Sequence, residues 1–392
     1  MSNNSLLTRR VEKVLPTAVS LEKLMGERKI KLYQGFDPTG SRLHLGHSVG
    51  IRKLMEFANA GHDVTFLFGT GTVLVGDPSQ RNTTRKLITQ KEIDENIKDW
   101  KKQVSPLVDW NKVSIKQNGD WLIPLALKDI INIASNISAV QLFKREMFQR
   151  RLEAGDTVWY HETMYPLLQG YDSVVMDVDL EVGGTDQEFN MLVGRELMRK
   201  MKDKEKFVLT TPMILGTDGN QMSKSTGNCV WLDDTSTDMF GKLMSIPDRQ
   251  IVPYLTNVTD IPMEKVHETE EGLKDGSVHP MKAKKMLALE VVRQFHGEVK
   301  ATDAQKEFEE TFQKGGAPED TETYNAKRQT VNLVDVLAET RVVKSKSDAR
   351  RLLEQGALEW NGEKVKATEL EVGDGGTLRV GKHRFLRIEH SS

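Results

Sequence analysis

Two histidines three residues apart, His44 and His47, enclose a glycine in the segment GSRLHLGHSVG, residues 40–50. The pair follows an apolar, strand-like run and stands where a helical pattern begins. A helix N-terminus attracts anions, and imidazole N–H groups can bond phosphate oxygens whose charge changes during a reaction. Two plainer interpretations stay open: the histidines cap the helix, or they bind a metal. The glutamate of helical zinc motifs and a third ligand are missing from the sequence around them.

A lysine that could complete such a site lies in the glycine-flanked loop GNQMSKSTGN, residues 219–228. Lys224 stands between two serines, and a lysine on a flexible loop acts as a point charge for phosphate. An ordinary surface loop is the alternative. Taken together, the two segments indicate a nucleotide whose phosphates lie between a pair of imidazoles and an ammonium group.

The elements around the histidines must position them. The segment KIKLYQG predicts a strand that ends at Gly35. After it, apolar residues recur with helical spacing at Ile51, Leu54, Met55 and Ala58, and DVTFLF then predicts a second strand. Strand, helix and strand in this order predict an α/β fold with a parallel sheet. A helix at residues 127–134 and a strand within SVVMDVDLEVGG continue the pattern.

The chain of 392 residues is long enough for several domains. We predict a sheet domain at 1–232, a helical domain at 233–314, a polar linker at 315–330 and a small C-terminal module of one helix and short strands at 331–392. The net charge of −2 allows only local basic surfaces for a nucleic acid.

Cysteine content and hydropathy bound the cellular setting. Cys229 is the single cysteine, which excludes an intramolecular disulfide framework and a zinc site built on several thiolates. The N-terminus lacks the apolar core of a signal peptide, and no window approaches a membrane span. These patterns predict a cytoplasmic protein without a membrane segment.

The motifs HLGH and MSKS resemble the two signatures of class I aminoacyl-tRNA synthetases, and YQGFDPTG, LVGDPS, YPLLQGYD and GGTDQ resemble the bacterial tyrosyl-tRNA synthetase family. The resemblance covers nearly the whole chain. It implies a Rossmann-type catalytic domain, a helical domain on the anticodon side of the tRNA and a C-terminal α+β RNA-binding module. It also implies ATP with Mg²⁺ as substrate, no protein-bound metal, L-tyrosine and tRNA(Tyr) as further substrates, and a homodimer.

The same resemblance assigns roles to individual residues. Catalytic positions are Thr39, His44, His47 and Lys224. Tyrosine-binding positions are Tyr33, Asp77, Tyr165, Gln169, Asp172 and Gln187, with Tyr33 and Asp172 at the phenol and Asp77, Tyr165 and Gln169 at the α-ammonium. ATP-binding positions are Gly35, Asp37, Gly46, Gly184, Asp186, Met222, Ser223, Lys224 and Ser225. Positions for tRNA are Lys344, Lys346, Arg350 and Arg351. Gln34 also falls near the ribose position, where relatives carry other residues.

Physical chemistry supports the amino-acid pocket. Tyr165, Gln169 and Asp172 are spaced by four and three, so a helix would direct them into one pocket. A buried carboxylate at Asp172 would penalise phenylalanine, which leaves it without a donor. An amphipathic helix with a few polar residues remains the alternative.

One residue departs from the family signature, because Gln221 stands where a lysine is usual. Lys224 or the basic residues Arg81, Arg85 and Lys86 could compensate, although the pattern of these three rather favours solvated surface charges. Two other functions stay open: a tryptophanyl ligase, which shares the fold and both signatures, and an RNA-binding paralogue without catalysis. Tyr33 and Asp172 favour tyrosine, and the retained histidines favour catalysis.

Overall fold

The computed structural model describes residues 6–77, 88–143, 146–223, 226–313, 321–343, 345–373, 375–381 and 384–390. The chain divides into two compact units, Met1–Phe295 and His296–Ser392. Among the described residues, no helix is both long and apolar enough to cross a membrane.

A six-stranded sheet forms the centre of the first unit, with the order β1-β6-β5-β2-β3-β4. Its strands are β1 (Lys13–Leu15), β2 (Lys31–Phe36), β3 (Asp63–Phe68), β4 (Val113–Gln117), β5 (Leu180–Gly184) and β6 (Phe207–Thr211). All neighbours are parallel except the pair β1 and β6. Since β2 lies between β3 and β5, the chain turns to opposite sides at β2, the position where open α/β sheets bind ligands.

Helices surround this sheet. They are α1 (Ala18–Glu27), α2 (Leu45–Asn59), α3 (Thr72–Val75), α4 (Gln90–Val104), α5 (Gly119–Leu122), α6 (Leu127–Ala134), α7 (Ala139–Phe143), α8 (Glu146–Glu153), α9 (Met164–Met176), α10 (Glu188–Lys202), α11 (Ser236–Ser245), α12 (Ile251–Val258), α13 (Met263–Asp275) and α14 (Pro280–His296). Leu45, Val49, Ile51, Leu54 and Phe57 of α2 are nearly inaccessible to solvent, so burial of its apolar face fixes this helix against the sheet.

Buried charges also anchor α2. Arg52 bonds Asp260 at 2.7 Å, Arg10 bonds the same carboxylate at 2.8 Å, and Lys53 donates to the backbone carbonyl of Leu6 at 2.9 Å and pairs with Glu56. Burial lowers the pKa of Arg52 to about 10, so its guanidinium remains charged at neutral pH. Each buried charge has a partner, as burial of ions requires.

The second unit begins with the long helix α15 (Glu298–Gln313). Its later elements are β7 (Thr323–Ala326), β8 (Thr330–Asn332), α16 (Leu333–Glu339), α17 (Lys346–Glu354), β9 (Leu358–Trp360), β10 (Glu363–Lys364), β11 (Glu369–Glu371), β12 (Gly376–Val380) and β13 (Arg384–His390). The sheet order is β10-β9-β12-β13-β7, with a separate pair β11-β8. Leu337, Leu378, Leu386 and Ile388 belong to its core.

The structure confirms the α/β class, the parallel central sheet and an α+β C-terminal module. The module has two helices, α16 and α17, where one was predicted, because Asn332 caps a further helix before the predicted one. The predicted linker at 315–330 is wrong in part, because Thr323–Ala326 pairs in parallel with β13 and Thr330 opens β8. Tyr324 packs against the core of the second unit, which explains why this polar segment is a strand. The predicted boundary at 232/233 falls inside the first unit and stays a prediction, although helices do follow it.

Candidate active site

A cavity of about 880 Å³ opens at the carboxyl ends of β2 and β5. Its volume is within the range of sites for small substrates. Fifteen of the residues predicted from the sequence line it: Gly35, Asp37, Thr39, His44, Gly46, His47, Asp77, Tyr165, Gln169, Asp172, Gly184, Asp186, Gln187, Met222 and Ser223. Residues spread along the sequence from Gly35 to Ser223 are thereby brought to one place.

Three of the positions predicted for catalysis, tyrosine or ATP are not part of this lining: Tyr33, Lys224 and Ser225. Tyr33 is fully buried and lies behind the wall, not in it. Lys224 and Ser225 lie outside the described residues, as do Lys344 and the basic residues Arg81, Arg85 and Lys86. Gln34, whose role was open, does line the cavity.

His44 and His47 stand at the N-terminus of α2, with ring centroids 4.0 Å apart. The Nδ1 atom of His44 accepts from the Gly46 backbone N–H at 3.2 Å, and Nδ1 of His47 accepts from the His44 backbone N–H at 3.2 Å. A neutral imidazole that accepts at Nδ1 carries its proton on Nε2. The capping interpretation is correct, and capping orients the His44 ring with Nε2–H as its donor. The Nδ1 atom of His47 also lies 3.2 Å from the His44 carbonyl oxygen, so the contacts of His47 fit either neutral tautomer.

Gly46 makes this arrangement possible. A Cβ atom at that position would lie 2.9 Å from two atoms of the His44 ring, closer than such contacts occur. The two imidazoles also lie beside aromatic rings. The ring centroids of His44 and Trp231 are 6.0 Å apart, and those of His47 and Trp100 are 6.5 Å apart. Gly46 is thus needed for the His44 imidazole to approach the backbone at the start of α2.

The floor of the cavity contains a buried carboxylate. Asp172, on α9, is 2% exposed and accepts hydrogen bonds from Asn118 Nδ2 at 3.0 Å and Trp121 Nε1 at 2.8 Å. Burial raises the pKa of Asp172 well above its ordinary value, and the two donors oppose that shift. A phenol O–H entering the cavity would give this carboxylate a further donor.

Behind Asp172 lies a closed polar network. The Tyr33 hydroxyl is 2.9 Å from Ser173 Oγ, and Lys206 Nζ donates to Ser173 Oγ at 2.9 Å and to the Met191 carbonyl at 3.1 Å. Lys206 also pairs with Glu181. Burial raises the pKa of Tyr33, with the carboxylates of Glu181 and Asp172 adding to the shift, so its phenol is neutral. The predicted direct contact of Tyr33 with a substrate stays a prediction.

A second carboxylate fixes the hydroxyl of Tyr165. This hydroxyl donates to Asp37 Oδ2 at 2.9 Å, while Thr72 Oγ1 donates to Asp37 Oδ1 at 2.7 Å. With its proton committed to Asp37, the Tyr165 oxygen can only accept further hydrogen bonds. Gly69 permits the approach, since a Cβ atom there would lie 1.9 Å from Asp37 Oδ1.

The side-chain amides of Gln187 and Gln169 both donate hydrogen bonds to carboxylates. Gln187 Nε2 donates to Asp77 Oδ2 at 2.8 Å and to Asp186 Oδ2 at 3.0 Å, and Gln169 Nε2 donates to Glu181 Oε1 at 3.1 Å. Both amide groups therefore turn their nitrogen toward a carboxylate. Asp77, the Tyr165 oxygen and the Gln169 oxygen form a set of acceptors at this part of the wall, suited to an ammonium group with three donors.

The loop that carries the MSKS motif is organised by Asn228. Its Oδ1 accepts from the Ser223 backbone N–H at 2.9 Å, and its Nδ2 donates to Asp218 Oδ1 at 2.8 Å and to the Gln221 carbonyl at 3.0 Å. Gln221 is exposed and Met222 is buried, and both line the cavity. The described part of the loop thus lies at the mouth of the cavity.

Sequence reasoning missed several residues of the site. Asn118 follows β4 at the same edge of the sheet, which is a signal that could have identified it. Trp121, Thr72, Glu181 and Lys206 belong to no motif. They were missed because their roles depend on neighbours distant in sequence.

Of the residues predicted for tRNA, Lys346, Arg350 and Arg351 lie in the second unit, on α17. Lys346 and Arg350 are exposed, and the Lys346 ammonium lies 2.9 Å from Asp335. Arg351 is exposed and pairs with Asp348 at 3.1 Å within the helix. Residues four apart share a helix face, so Lys346 and Arg350 form one basic surface.

Comparison with known families assigns the chain. Residues 25–313 match the tRNA synthetases class I (W and Y), and residues 312–387 match the tyrosine–tRNA ligase SYY-like C-terminal domain. The chain belongs to the class I aminoacyl-tRNA synthetases of the tryptophan and tyrosine group. It is an enzyme that links an amino acid to tRNA.

Several relatives match along nearly the full length of the chain. The tyrosine–tRNA ligase of Thermotoga maritima is 39% identical over 386 residues, covering 98% of this chain and 96% of the relative. That of Geobacter sulfurreducens is 39% identical over 393 residues and covers 98% of both chains. Tyrosine is therefore the amino acid to which the comparison points.

Solved structures agree in fold. A C-terminally truncated mitochondrial tyrosyl-tRNA synthetase of Coccidioides posadasii aligns with a TM-score of 0.64 and 25% identity, covering 78% of this chain and 91% of that one. The tyrosyl-tRNA synthetase of Archaeoglobus fulgidus complexed with L-tyrosine aligns with a TM-score of 0.63 and 21% identity, covering 77% and 98%. The second likeness concerns the fold alone.

Proposed function

We propose that the cavity binds L-tyrosine and ATP and joins them as tyrosyl-adenylate with release of pyrophosphate. The enzyme then transfers the tyrosyl group to the 3′-terminal adenosine of tRNA(Tyr), and so acts as a tyrosine–tRNA ligase. One observation carries the choice of amino acid: a buried carboxylate, Asp172, with two side-chain donors already in place. Tryptophan and phenylalanine offer it no hydroxyl.

The first step needs no enzymic base. The carboxylate of tyrosine is ionised at neutral pH and attacks the α-phosphorus of ATP, and the bond to the leaving pyrophosphate breaks. Thr39, His44 and His47 stabilise the phosphate oxygens that gain charge, with N–H groups of the imidazoles as donors. Lys224 would add a positive charge from the loop, an assignment that rests on the motif.

The α-ammonium of tyrosine has three donors, and the cavity supplies three kinds of acceptor. Asp77 contributes a carboxylate, Tyr165 contributes an oxygen whose proton is held by Asp37, and Gln169 contributes its amide oxygen. Such a set favours an ammonium over a neutral group, because a ligand without donors leaves it unpaired. Gly35, Gly184 and Asp186 then belong to the adenylate.

Magnesium enters as the complex of ATP. No group of three or more His, Cys, Asp or Glu side chains suited to a metal is present in the part of the chain that the structure describes. The ion would neutralise charge on the triphosphate. Gln221, which lines the cavity, supplies no second cation, so the histidines and the metal complex carry more of that task.

Amino-acid-dependent exchange of pyrophosphate into ATP tests the proposal. With tyrosine the exchange should be readily measured, and with tryptophan or phenylalanine at the same concentration it should be lower by several orders of magnitude. Exchange with tryptophan above that with tyrosine would favour the tryptophanyl ligase. Absence of exchange with all three would favour the RNA-binding paralogue.

The second step requires tRNA, and we propose that the basic face of α17 binds it. Replacing Lys346 and Arg350 together by glutamate should weaken tRNA charging about tenfold or more, because two phosphate contacts become repulsive. Exchange should be unchanged. A matched control replaces Lys364, an exposed lysine of β10 in the same unit, and should leave both activities intact.

A homodimer would explain an exposed apolar surface of the first unit. Large apolar side chains between residues 123 and 160 are open to solvent, among them Leu127 at 73%, Val140 at 69% and Ile131 at 58%. Such surfaces mark interfaces. Replacing Ile131 by glutamate should convert a dimer into a monomer in sedimentation equilibrium, whereas a wild-type monomer would contradict the proposal.

A further inference from the structure

A fully buried ion pair lies at the candidate ammonium subsite, where Glu181 is itself part of the cavity lining. Lys206 is 0% exposed and Glu181 is 1% exposed, and the two side chains are bonded to each other. Burying two charges is costly and is often no better than apolar packing. A pair kept at this cost, in contact with the wall of a substrate cavity, calls for a role besides stability.

The contacts of Lys206 are complete. Its ammonium donates to Glu181, to Ser173 Oγ at 2.9 Å and to the Met191 carbonyl at 3.1 Å, which accounts for all three protons. Lys206 therefore holds Glu181 in place, and no ligand can recruit this lysine without breaking a bond.

Glu181 passes this constraint to Gln169. Glu181 Oε2 faces Lys206, while its Oε1 accepts from Gln169 Nε2 at 3.1 Å. An ionised carboxylate can only accept, so the Gln169 amide must turn its nitrogen toward Glu181. The Gln169 amide oxygen, Oε1, then points away from Glu181. Among the described residues, this buried oxygen has no hydrogen-bond partner. An unpaired buried acceptor beside a cavity suits a ligand that donates.

We propose that the Glu181–Lys206 pair is a positioning device, which locks the amide of Gln169 so that its oxygen accepts from the α-ammonium of the amino acid. The inference rests on the proposed function and deepens it. Without the lock, the amide could rotate by half a turn and present its own N–H₂ group to the ammonium, which would repel it. Neither Glu181 nor Lys206 contacts the reacting atoms.

The test compares two ligands that differ in the ammonium alone: L-tyrosine and 3-(4-hydroxyphenyl)propionate. The ratio of their dissociation constants, measured by calorimetry, reports what the ammonium contributes. In the double variant Glu181→Leu with Lys206→Met, which leaves no unpaired charge, this ratio should fall about tenfold, the cost of one hydrogen bond to a charged group. Affinity for the propionate should stay within about twofold.

Two further variants separate positioning from packing. Glu181→Gln with Lys206→Met is also uncharged but restores an acceptor for Gln169, so it should recover part of the ratio. Ser173→Ala removes contacts of Lys206 and Tyr33 and the long 3.4 Å bond to Glu181 Oε2. It keeps the Lys206 bond to Glu181 and the Gln169 bond to Glu181 Oε1, and should leave the ratio unchanged. Thermal unfolding of each variant verifies that it is folded.

Two results would overturn the proposal. They are an unchanged ratio in the Leu/Met variant, including the case in which both ligands lose affinity equally, and an equal ratio in the Leu/Met and Gln/Met variants. Failure of the proposed function is distinguishable, because it appears in the wild type as absence of tyrosine-dependent exchange. A wild type that activates tyrosine, with a ratio insensitive to the pair, rejects the positioning role alone.

Discussion

The two ends of the cavity are built differently. The end proposed for tyrosine, called the amino-acid end, contains Asp172, Glu181 and Lys206. These three side chains are almost inaccessible to solvent, and each is hydrogen-bonded to other side chains of the protein. The other end, proposed for ATP and called the nucleotide end, contains His44 and His47, which are half-buried, and Asp186 and Gln221, which are exposed. Glycines form much of its wall. One end is preorganised around a small rigid ligand, and the other is open to a large charged one.

This difference suggests a division of work. A preorganised, buried set of acceptors selects the substrate, since any ligand that leaves it unpaired pays the desolvation cost. Donors at an open helix start act when charge develops, because their value lies in the transition state. Changes at one end should therefore alter binding of tyrosine, and changes at the other should alter the rate of its activation.

The largest effect is expected at the histidines. His44→Ala should slow tyrosyl-adenylate formation about 10²–10³-fold, because a donor to the developing charge is lost. The dissociation constant of tyrosine should change by less than about twofold. Rapid-quench measurement of adenylate formation over a range of tyrosine concentrations separates the two quantities.

A matched variant separates catalysis from capping. The side chain of His44 caps α2, and loss of a cap costs about 1 kcal/mol of stability. His44→Asn can still accept from the Gly46 backbone N–H, so it should unfold at nearly the wild-type temperature yet remain slow. Recovery of the rate in His44→Asn would show that the imidazole acts through the helix and not on phosphate.

At the amino-acid end, Asp172→Asn should weaken tyrosine binding about 10- to 100-fold, the cost of one hydrogen bond to a charged group together with mismatched donors from Asn118 and Trp121. The rate at saturating tyrosine should change far less. Discrimination against phenylalanine, measured as the ratio of exchange kcat/KM values, should shrink in the same variant. An unchanged ratio would place selection elsewhere.

These contrasts also explain what could be predicted from sequence. The site proposed for the nucleotide could be predicted because His44, Gly46 and His47 are neighbours in the chain, and a helix start has a local signature; its nucleotide-binding role stays a prediction. The parallel sheet followed from the strand and helix periods. The linker failed at Thr323–Ala326, because pairing with β13 depends on a partner some sixty residues away.

The amino-acid end was identified only in part. Asp172 and Gln169 could be placed by helical spacing, but their partners Asn118, Trp121 and Glu181 come from other elements. The role of Tyr33 was predicted at the cavity, whereas burial places it behind the wall with Ser173. Side-chain partners set by tertiary packing leave no period in the sequence.

Acidification should sharpen the comparison further. Burial raises the pKa of Asp172 well above 3.8, the ordinary value of an aspartate. As pH falls, protonation of this acceptor should therefore weaken tyrosine binding before an ordinary carboxylate would be protonated. In the empty protein the sign is opposite: the protonated form stabilises the fold, and that contribution is lost as pH rises through the folded-state pKa. Tyrosine affinity titrated by calorimetry should show the dependence in the wild type and lose it in Asp172→Asn.

The smallest effect is expected at Gln221, which is exposed at the nucleotide end. Gln221→Lys adds a cation beside the phosphates and should speed adenylate formation severalfold at most, because an exposed charge is screened. Tyrosine affinity should not respond. A loss of rate would indicate that the neutral amide is required at this position.

A double-mutant cycle tests the division of work most directly. The kcat/KM for tyrosine in pyrophosphate exchange is measured for the wild type, His44→Asn, Asp172→Asn and the combined variant. Independent ends predict that the combined loss equals the product of the two single losses within about twofold. A combined variant no worse than the poorer single variant would contradict the account, since the two ends would then act as one unit.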